Sequence, residues 1–387
     1  MTFFLAFLAA LGPLSNDMYL PALPSLVKFW GVSEAAGGLT LSLWFVSFGI
    51  FLLVYGPFSD RFGRKPALMV GLLFFSLSSV GCALSNGFQE MIIFRVLQAA
   101  GGAACVAMTM AISRDVFEGH IRQRVLAYLG VIMAVAPMAA PFLGSLTLKY
   151  FTWRWIFGLQ AFYGVSAFTL VLYLEEPLQK EKRLAAMSFL KPYLSTITNF
   201  RFLSTSTLMG VVMGPTYAFI AASPYIYMEQ FGLSRAAYSR YFACNAVGLM
   251  LGSLVCAKLS KRFSAAVLNA WGFAGVTLGG GCILAFGSQG PTWFALSMGI
   301  IAFCCGASRP VSNNIVLDQV EVYVGAASSI MTFTLFTLGA VFMWAASADF
   351  LNRVILVGLM GVGVGGFVLA MWPLQLRYLR KFGYKAS

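Results

Sequence analysis

Residues 37–84 consist of two apolar runs, GGLTLSLWFVSFGIFLLVY and PALMVGLLFFSLSSVGCAL, on either side of the charged loop GPFSDRFGRK. A helix needs about 20 apolar residues to cross the hydrocarbon core of a bilayer. A transmembrane β-strand needs only about 10 and alternates in polarity. Because both runs are continuously apolar, they predict two membrane-spanning helices, at 37–58 and 67–85, joined by a polar loop.

The rest of the chain repeats this pattern. The 387 residues are 59 % hydrophobic and 10 % charged, with a mean hydropathy of +0.82, whereas about a quarter of the residues of a soluble domain are charged. We therefore predict an all-α integral membrane protein with twelve transmembrane helices and exclude soluble, disordered, collagen-like and disulfide-rich secreted chains. The other predicted helices are 2–27, 89–113, 123–147, 155–174, 201–223, 238–258, 265–286, 292–312, 324–346 and 353–374.

The longest polar interruption, 175–200, contains EEPLQKEKR and leaves six predicted helices on each side. It predicts an N-terminal six-helix bundle (1–174), a cytoplasmic linker, and a C-terminal six-helix bundle with a short cytoplasmic tail (201–387), arranged around a central cavity. The loops at 56–65 and 253–262 lie 197 residues apart at corresponding places. They indicate the parallel 6+6 repeats of a transporter whose site lies near the membrane midplane.

The basic residues predict the topology. Of 26 Lys and Arg residues, 18 lie in the even-ranked loops and the C-terminal tail and only six in the odd-ranked loops. Cytoplasmic loops carry the excess of positive charge, so we expect both termini to be cytoplasmic. The chain begins inside an apolar run without a basic leader, so we expect a missing cytoplasmic leader rather than a cleaved signal peptide.

The same charge distribution argues against nucleic acid as a partner, although the net charge is +13, because the basic residues lie in short loops. The seven cysteines are odd in number and lack metal-ligand spacing, so we expect no metal site. No phosphate-binding loop, catalytic motif or channel filter is present. We expect neither an enzyme nor a cofactor-dependent protein.

The loop at 56–68, GPFSDRFGRKPAL, resembles the signature loop between helices 2 and 3 of the major facilitator superfamily. Gly56 permits close helix contact, Gly63 permits a tight turn, and the acid and the bases could form a cytoplasmic charge latch. The alternative is a loop that serves only as a positive-inside anchor. The candidate latch residues are Gly56, Asp60, Arg61, Gly63, Arg64 and Lys65.

Three more segments resemble the drug:proton antiporters of that superfamily, and within them the bicyclomycin and chloramphenicol resistance group. They are SNDMYLPALP (15–24), FRVLQAAGGAA (94–104) and GVIMAVAPMAAPFLG (130–144). The third departs from the antiporter motif because Ala136 precedes Pro137 where Gly-Pro is usual. The residues that would still supply the bend and close packing of helix 5 are Pro137, Pro141 and Gly144.

Asp17 is the one acidic residue that lies well inside a predicted helix and away from a cytoplasmic loop. Intramembrane carboxylates are costly and are functional by default, so we expect Asp17 to carry the transported proton. The alternative is an outer helix cap before Pro21 and Pro24. Arg95, at a similar depth in helix 4, is its candidate partner for proton coupling; alternatively, Arg95 is satisfied by backbone carbonyls or by Gln98 one turn away.

Arg309 is the other intramembrane cation. It could face the cavity and disfavour cationic substrates. We interpret it instead as a side chain that snorkels to the cytoplasmic end of helix 10, a few residues away.

With 36 Phe, 15 Tyr and 18 Met residues, the composition permits an adaptable drug pocket. By resemblance, the segment of helix 7 that precedes Ser223 and Pro224 lines the drug cavity. The candidate substrate-binding residues are Asn16, Asp17, Tyr128, Met133, Tyr217, Ile220 and Asn245.

Together, the residues and the resemblance predict a monomeric, multi-pass protein of the bacterial inner membrane that exports amphipathic drugs by alternating access. Its partners would be the drug, protons and the lipid bilayer, and the proton gradient would drive it. Two alternatives remain: a carrier of the same fold for a sugar or amino-acid-like metabolite, and a non-transporting membrane scaffold or receptor.

Overall fold

The computed structural model describes residues 1–178, 190–348 and 351–382. The regular secondary structure of these residues is helical throughout, and twelve of their helical segments are long and apolar enough to cross a membrane. The predicted fold class, an all-α membrane protein with twelve transmembrane helices, is confirmed. Residues 179–189 of the predicted linker and 383–387 of the predicted tail lie outside the described residues.

We number the twelve segments α1 to α12 in chain order. They are α1 (Thr2–Trp30), α2 (Glu34–Phe62), α3 (Arg64–Leu84), α4 (Phe88–Val116), α5 (Gly119–Tyr150), α6 (Arg154–Leu172), α7 (Phe200–Gln230), α8 (Arg235–Leu259), α9 (Ala265–Gln289), α10 (Pro291–Leu317), α11 (Val324–Ser347) and α12 (Arg353–Arg380). A short helix, Leu190–Ile197, precedes α7. Side-chain caps extend some helices beyond their apolar runs: α2 begins at Glu34 because the Ser33 hydroxyl accepts a hydrogen bond from the Ala36 amide at 3.2 Å.

α1 and α7 are interrupted, although hydropathy predicts each as continuous. α1 consists of Thr2–Asp17, a 3₁₀ turn at Leu20–Ala22 and Leu23–Trp30. Pro21 and Pro24 lack amide hydrogens, so the α-helical bonding cannot continue through this region. α7 consists of Phe200–Val211, Gly214–Pro224 and a π-helical turn, Tyr225–Gln230. The interruption of α1 places Asp17 at the end of its first helical piece.

The chain forms two compact units, Met1–Tyr193 and Leu194–Ser387, and their boundary falls within the segment 175–200. In the first unit, α3 packs along α4 and α6, α2 packs along α4, and α1 packs along α4 and α5. In the second unit, α9 packs along α10 and α12, α8 along α10, and α7 along α10 and α11. Each packing pair of the first unit thus recurs in the second with the helix numbers raised by six, as expected of a repeated architecture.

Glycine permits the closest of these helix contacts. A Cβ atom on Gly101 of α4 would collide with the backbone of Phe75 on α3, and one on Gly252 of α8 would collide with the carbonyl of Phe303 on α10. Lipid tails are as apolar as the helix surfaces, so close backbone packing is a main source of helix association in membranes.

Candidate functional site

A buried polar cluster lies in the first unit, where the first piece of α1 ends against α4. Arg95 of α4 is fully buried, at 0 % exposure. Its Nη1 donates hydrogen bonds to the Ser15 carbonyl oxygen (2.9 Å) and to Gln98 Oε1 (2.7 Å), and its Nη2 donates to Asn16 Oδ1 (3.2 Å). Three neutral acceptors therefore hold the guanidinium. Two of them, a backbone carbonyl and Gln98, are the partners expected if Arg95 has a structural role.

Asn16 connects this cation to Asp17. The Asn16 Nδ2 donates to Asp17 Oδ1 at 2.9 Å, while its Oδ1 accepts from Arg95. Among the described residues no ion pair within 4 Å joins Asp17 directly to Arg95. Asp17 is 7 % exposed. The carboxylate and the guanidinium thus communicate through one amide side chain.

Two further side chains, Ser79 and Gln160, extend the cluster to α3 and α6. Gln98 Nε2 donates to Ser79 Oγ (2.8 Å) and to Gln160 Oε1 (2.9 Å). Gln160 Nε2 in turn donates to the Ser15 carbonyl at 3.2 Å. Four helices of the unit are joined at this point. Ser79 and Gln160 were not predicted from the sequence, although a glutamine in an apolar helix is a signal that could have identified Gln160.

Aromatic rings enclose the guanidinium. The Cζ atom of Arg95 lies 4.9 Å from the centre of the Tyr19 ring and 5.7 Å from that of the Trp44 ring, both within cation–π range. The Tyr19 hydroxyl forms a hydrogen bond of 3.1 Å with Thr40 Oγ1. In this low-dielectric surrounding, electrostatic interactions are stronger than in water. A change in the charge of Asp17 would therefore strongly change the electrostatic energy of the cluster.

The helix 5 motif lies against the end of the Asp17 helix. Pro137 and Pro141 lie inside α5. Gly144 faces the carbonyl oxygen of Met18, and a Cβ atom at position 144 would overlap that oxygen. Only glycine lets α5 approach the chain this closely, at the residue that follows Asp17.

The remaining candidate substrate residues lie on α5, α7 and α8. Tyr128 of α5 is exposed and Met133 is half-buried. In the second unit Tyr217 and Asn245 are buried and Ile220 is half-buried. Of the seven candidates, the hydrogen bonds of the polar cluster bring together Asn16 and Asp17. Tyr217 packs its ring against Gly339 of α11.

The loop between α2 and α3 forms a second polar centre, around Arg64. The Arg64 side chain is 3 % exposed. Its Nη1 donates to Asp60 Oδ1 and to Ser59 Oγ, both at 2.6 Å, and its Nε donates to Asp115 Oδ2 at 2.7 Å. Arg64 therefore ties the end of α2 and the start of α3 to the end of α4.

Glu176, which follows α6, completes this centre. Its two carboxylate oxygens accept hydrogen bonds from the backbone amides of Arg64 (2.8 Å) and Lys65 (3.1 Å), the first residues of α3. A carboxylate at a helix N-terminus satisfies free amides and interacts favourably with the helix dipole. The Lys65 ammonium donates to the Leu172 carbonyl at 2.8 Å. Glu176 falls within the linker predicted from the sequence, and this role was not predicted.

The other candidate latch residues shape the loop. Gly63 has a φ of 108°, a backbone conformation that favours glycine. A Cβ atom on Gly56 would lie 3.3 Å from the Tyr193 hydroxyl oxygen. The guanidinium of Arg61 lies 4.9 Å from the centre of the Phe62 ring, outside the Arg64 network. The loop thus combines a buried ionic centre with a backbone turn.

Comparison with known proteins agrees with these features. The family model of the Major Facilitator Superfamily matches residues 5–344. A chloramphenicol resistance protein of Pseudomonas aeruginosa is 30 % identical over 277 residues, which cover 71 % of this chain and 64 % of that protein. The match thus spans less than two thirds of the Pseudomonas protein. A bicyclomycin resistance protein homolog of Haemophilus influenzae is 25 % identical over 391 residues, covering 98 % of this chain and 97 % of that protein.

Solved structures share the fold. A bacterial homolog of the human lysosomal transporter Spinster, in an inward-facing and unoccupied conformation, superposes with a TM-score of 0.77 at 17 % identity, covering 100 % of this chain and 98 % of that one. At this level of identity the likeness concerns the fold alone. The family rests on the sequence match over residues 5–344.

Proposed function

Because this chain belongs to the major facilitator superfamily of transporters, we propose that it exports amphipathic drugs in exchange for protons by alternating access. Two relatives are named for resistance to chloramphenicol and to bicyclomycin, which supports drugs as the substrate class. We further propose that the chain acts as a monomer in the bacterial inner membrane, with both termini in the cytoplasm and the proton gradient as its energy source, without a cofactor.

The observation that carries this proposal is the cluster around Asp17. The Asp17 carboxyl group is 7 % exposed and lies inside a membrane-spanning segment. Burying an ionisable group there costs free energy, which supports a functional role. It can take up and release one proton. Arg95 senses the change through the Asn16 side chain, which contacts both residues.

In the proposed exchange, drug and proton compete for the same cluster. Protonation of Asp17 removes its negative charge and weakens the acceptor that holds Asn16. Binding of a substrate beside Asn16 and Asp17 would favour proton release, because a bound polar group replaces the proton as the partner of the carboxylate. Tyr128 and Met133 of the first unit are proposed to contact the remainder of the substrate, and Tyr217, Ile220 and Asn245 are proposed as substrate-binding residues of the second unit.

The Arg64 centre is proposed to act as a conformational latch. Its bonds join the ends of α2, α4 and α6 to the start of α3. Charge-assisted hydrogen bonds of this kind are about twice as strong as neutral ones. Breaking and reforming them as a set gives two discrete arrangements of the helix ends, as a transport cycle requires.

The test is transport by the purified protein in proteoliposomes with an imposed pH gradient. We expect uphill movement of chloramphenicol and ethidium that stops when an uncoupler is added. Asp17→Asn, which keeps the size and removes the charge, should abolish this movement. Asp318→Asn, directly after the last residue of α10, is the matched control and should transport normally.

Gradient-driven uptake or export of a sugar or an amino acid, without movement of either drug, would contradict the drug assignment and support the metabolite carrier. Uphill drug export that persists in Asp17→Asn would contradict the assignment of the proton to this residue.

A further inference from the structure

The second unit contains a cavity of about 60 Å³ that the mechanism proposed above does not use. It lies between the first part of α7, the C-terminal half of α10, and α11. Its polar lining includes Ser206, Arg309 and Asn313, and its apolar lining includes Met209 and Met331. No acidic residue is among the described residues that line it.

Arg309, interpreted from the sequence as snorkelling to the end of its helix, instead lines this cavity and supplies an available positive charge. It lies eight residues before Leu317, the end of α10, or about 12 Å along the helix at about 1.5 Å per residue. Its side chain is exposed and makes no hydrogen bond or ion pair with another described residue. By contrast, the buried guanidinium of Arg95 is held by three acceptors. The charge of Arg309 is thus free to meet a ligand.

Ser206 supplies an unused hydroxyl group. It is 3 % exposed, and its Oγ has no hydrogen-bond partner among the described residues. A buried polar group without a partner is destabilising. The other hydroxyl groups of the lining are already occupied: Ser308 donates to Cys305 O, Ser312 to Asn269 Oδ1 and Thr332 to Ser328 O. The Ser206 hydroxyl is therefore available to donate to a bound acceptor.

The two methionines of the lining favour a ligand with an apolar group next to its hydrogen-bond acceptor. Met209 and Met331 present flexible, polarizable thioethers that adapt to differently shaped apolar groups. At about 60 Å³ the cavity is far smaller than the roughly 300 to 1,000 Å³ of a drug-sized pocket. It can hold one head group with its first carbon atoms rather than a whole drug.

We propose that this cavity is an anion subsite that binds the carboxylate head group of an amphipathic substrate between Arg309 and Ser206. The guanidinium pairs with the carboxylate, the hydroxyl donates a second hydrogen bond, and the methionines contact the adjoining carbons. The proposal rests on the transport function proposed above and extends the substrate class to anionic amphipaths.

The test compares two probes of nearly equal shape, 1-naphthaleneacetate and its neutral amide, 1-naphthaleneacetamide. Binding is measured by equilibrium dialysis on the purified full chain in phosphatidylcholine nanodiscs, with empty nanodiscs as background. The unmodified chain should bind the acetate about tenfold more tightly than the amide, as expected for a hydrogen-bonded charge. Arg309→Gln should remove this preference, and Arg309→Lys should keep part of it.

Two variants complete the series. Ser206→Ala should weaken acetate binding about threefold and leave amide binding nearly unchanged, since a neutral amide gains less from the lost bond. Arg262→Gln removes an exposed arginine in the loop after α8 and should change neither affinity. Equal affinities for the two probes in the unmodified chain, or a preference that survives in Arg309→Gln, would overturn the subsite.

Ethidium export on the same preparations separates this inference from the transport proposal. Proton-driven export together with equal probe affinities would overturn the anion subsite alone. A preference for the acetate that depends on Arg309, in a chain without proton-driven export, would support the subsite and overturn the exchange mechanism.

Discussion

The junction of α1 with α4 and the junction of α7 with α10 solve the same structural problem with different chemistry. In each, an interrupted helix packs along a continuous one. At the first junction, Arg95 donates to the carbonyl of Ser15 and to two amide side chains. At the second, the Cys305 thiol donates to the carbonyl of Val212 at 3.5 Å and accepts from the Thr216 hydroxyl at 3.6 Å.

This difference shows which side chains the repeated fold requires at an interrupted helix and which it does not. At the α7 interruption a neutral thiol and a hydroxyl form the hydrogen bonds, and the thiol donates to the free backbone carbonyl. The repeated packing therefore needs no charged group at this place. The guanidinium and the carboxyl group of the first junction exceed that structural need and carry the cost of a buried charge. We therefore propose that proton exchange takes place at the first junction and that the Cys305 contacts of the second have a structural role.

The largest effect is expected from Arg95→Ala. It leaves Asn16 Oδ1 and Gln98 Oε1 without a donor, while Ser15 O keeps only the Gln160 amide, and each unsatisfied buried group costs about 1 to 3 kcal/mol. We expect the free energy of unfolding to fall by about 3 kcal/mol or more, measured by denaturation of the purified protein in detergent. If the loss were no greater than that of Cys305→Ala, the two junctions would be energetically alike and the comparison would be wrong.

The next effect concerns the helices that support the two interruptions. Gly144→Ala would drive a methyl group into the Met18 carbonyl of α1, and overpacking costs about 1 to 3 kcal/mol. Gly339→Ala on α11 meets the Tyr217 ring, with a Cβ position 2.8 Å from Cδ2, and a side chain yields more readily than backbone. Thermal unfolding should show a larger loss for Gly144→Ala, and the reverse order would contradict this interpretation.

A smaller effect is expected in the loop between α2 and α3. Asp60→Asn removes a charge from the Arg64 centre and should slow drug transport about tenfold, since a hydrogen bond to a charged group contributes about 1.5 to 3 kcal/mol. Lys261→Gln, 197 residues after Arg64 in the corresponding loop, is the control and should be near normal. Cysteine accessibility from each side of the membrane should shift in Asp60→Asn; an unchanged pattern with full transport would leave the loop a topological anchor.

The smallest effect is expected from Cys305→Ala. It removes one weak donor to Val212 O and one weak acceptor for Thr216, and a typical hydrogen bond contributes about 0.5 to 1.5 kcal/mol to stability. We expect a loss of about 1 kcal/mol and unchanged coupling of transport to the proton gradient. A loss of coupling in this variant would show that the second junction also carries protons.

The sequence predicted the fold because apolar runs of spanning length are local signals. It also identified Asp17 and Arg95 as unusual charges within apolar helices. The interruption of α1 was not predicted, because Pro21 and Pro24 are also compatible with an ordinary helix end. Hydropathy cannot detect such a break when both flanking pieces are apolar.

The partners of the charges were harder to predict. Gln98 and Gln160, which form a hydrogen bond of 2.9 Å, are 62 residues apart in the chain, and Glu176 lies 112 residues from Arg64. Their pairing depends on how α4 packs against its neighbours and on where α6 ends relative to α3. The amino-acid pattern of a single chain does not contain that information.

Proton release on substrate binding tests the central claim most directly. The purified protein, equilibrated in weakly buffered detergent solution with a pH indicator, is mixed with chloramphenicol or ethidium. We predict that the unmodified chain and Cys305→Ala release protons in proportion to bound substrate, while Asp17→Asn binds substrate and releases none. Equal release from Asp17→Asn would contradict the assignment of proton exchange to the junction of α1 with α4.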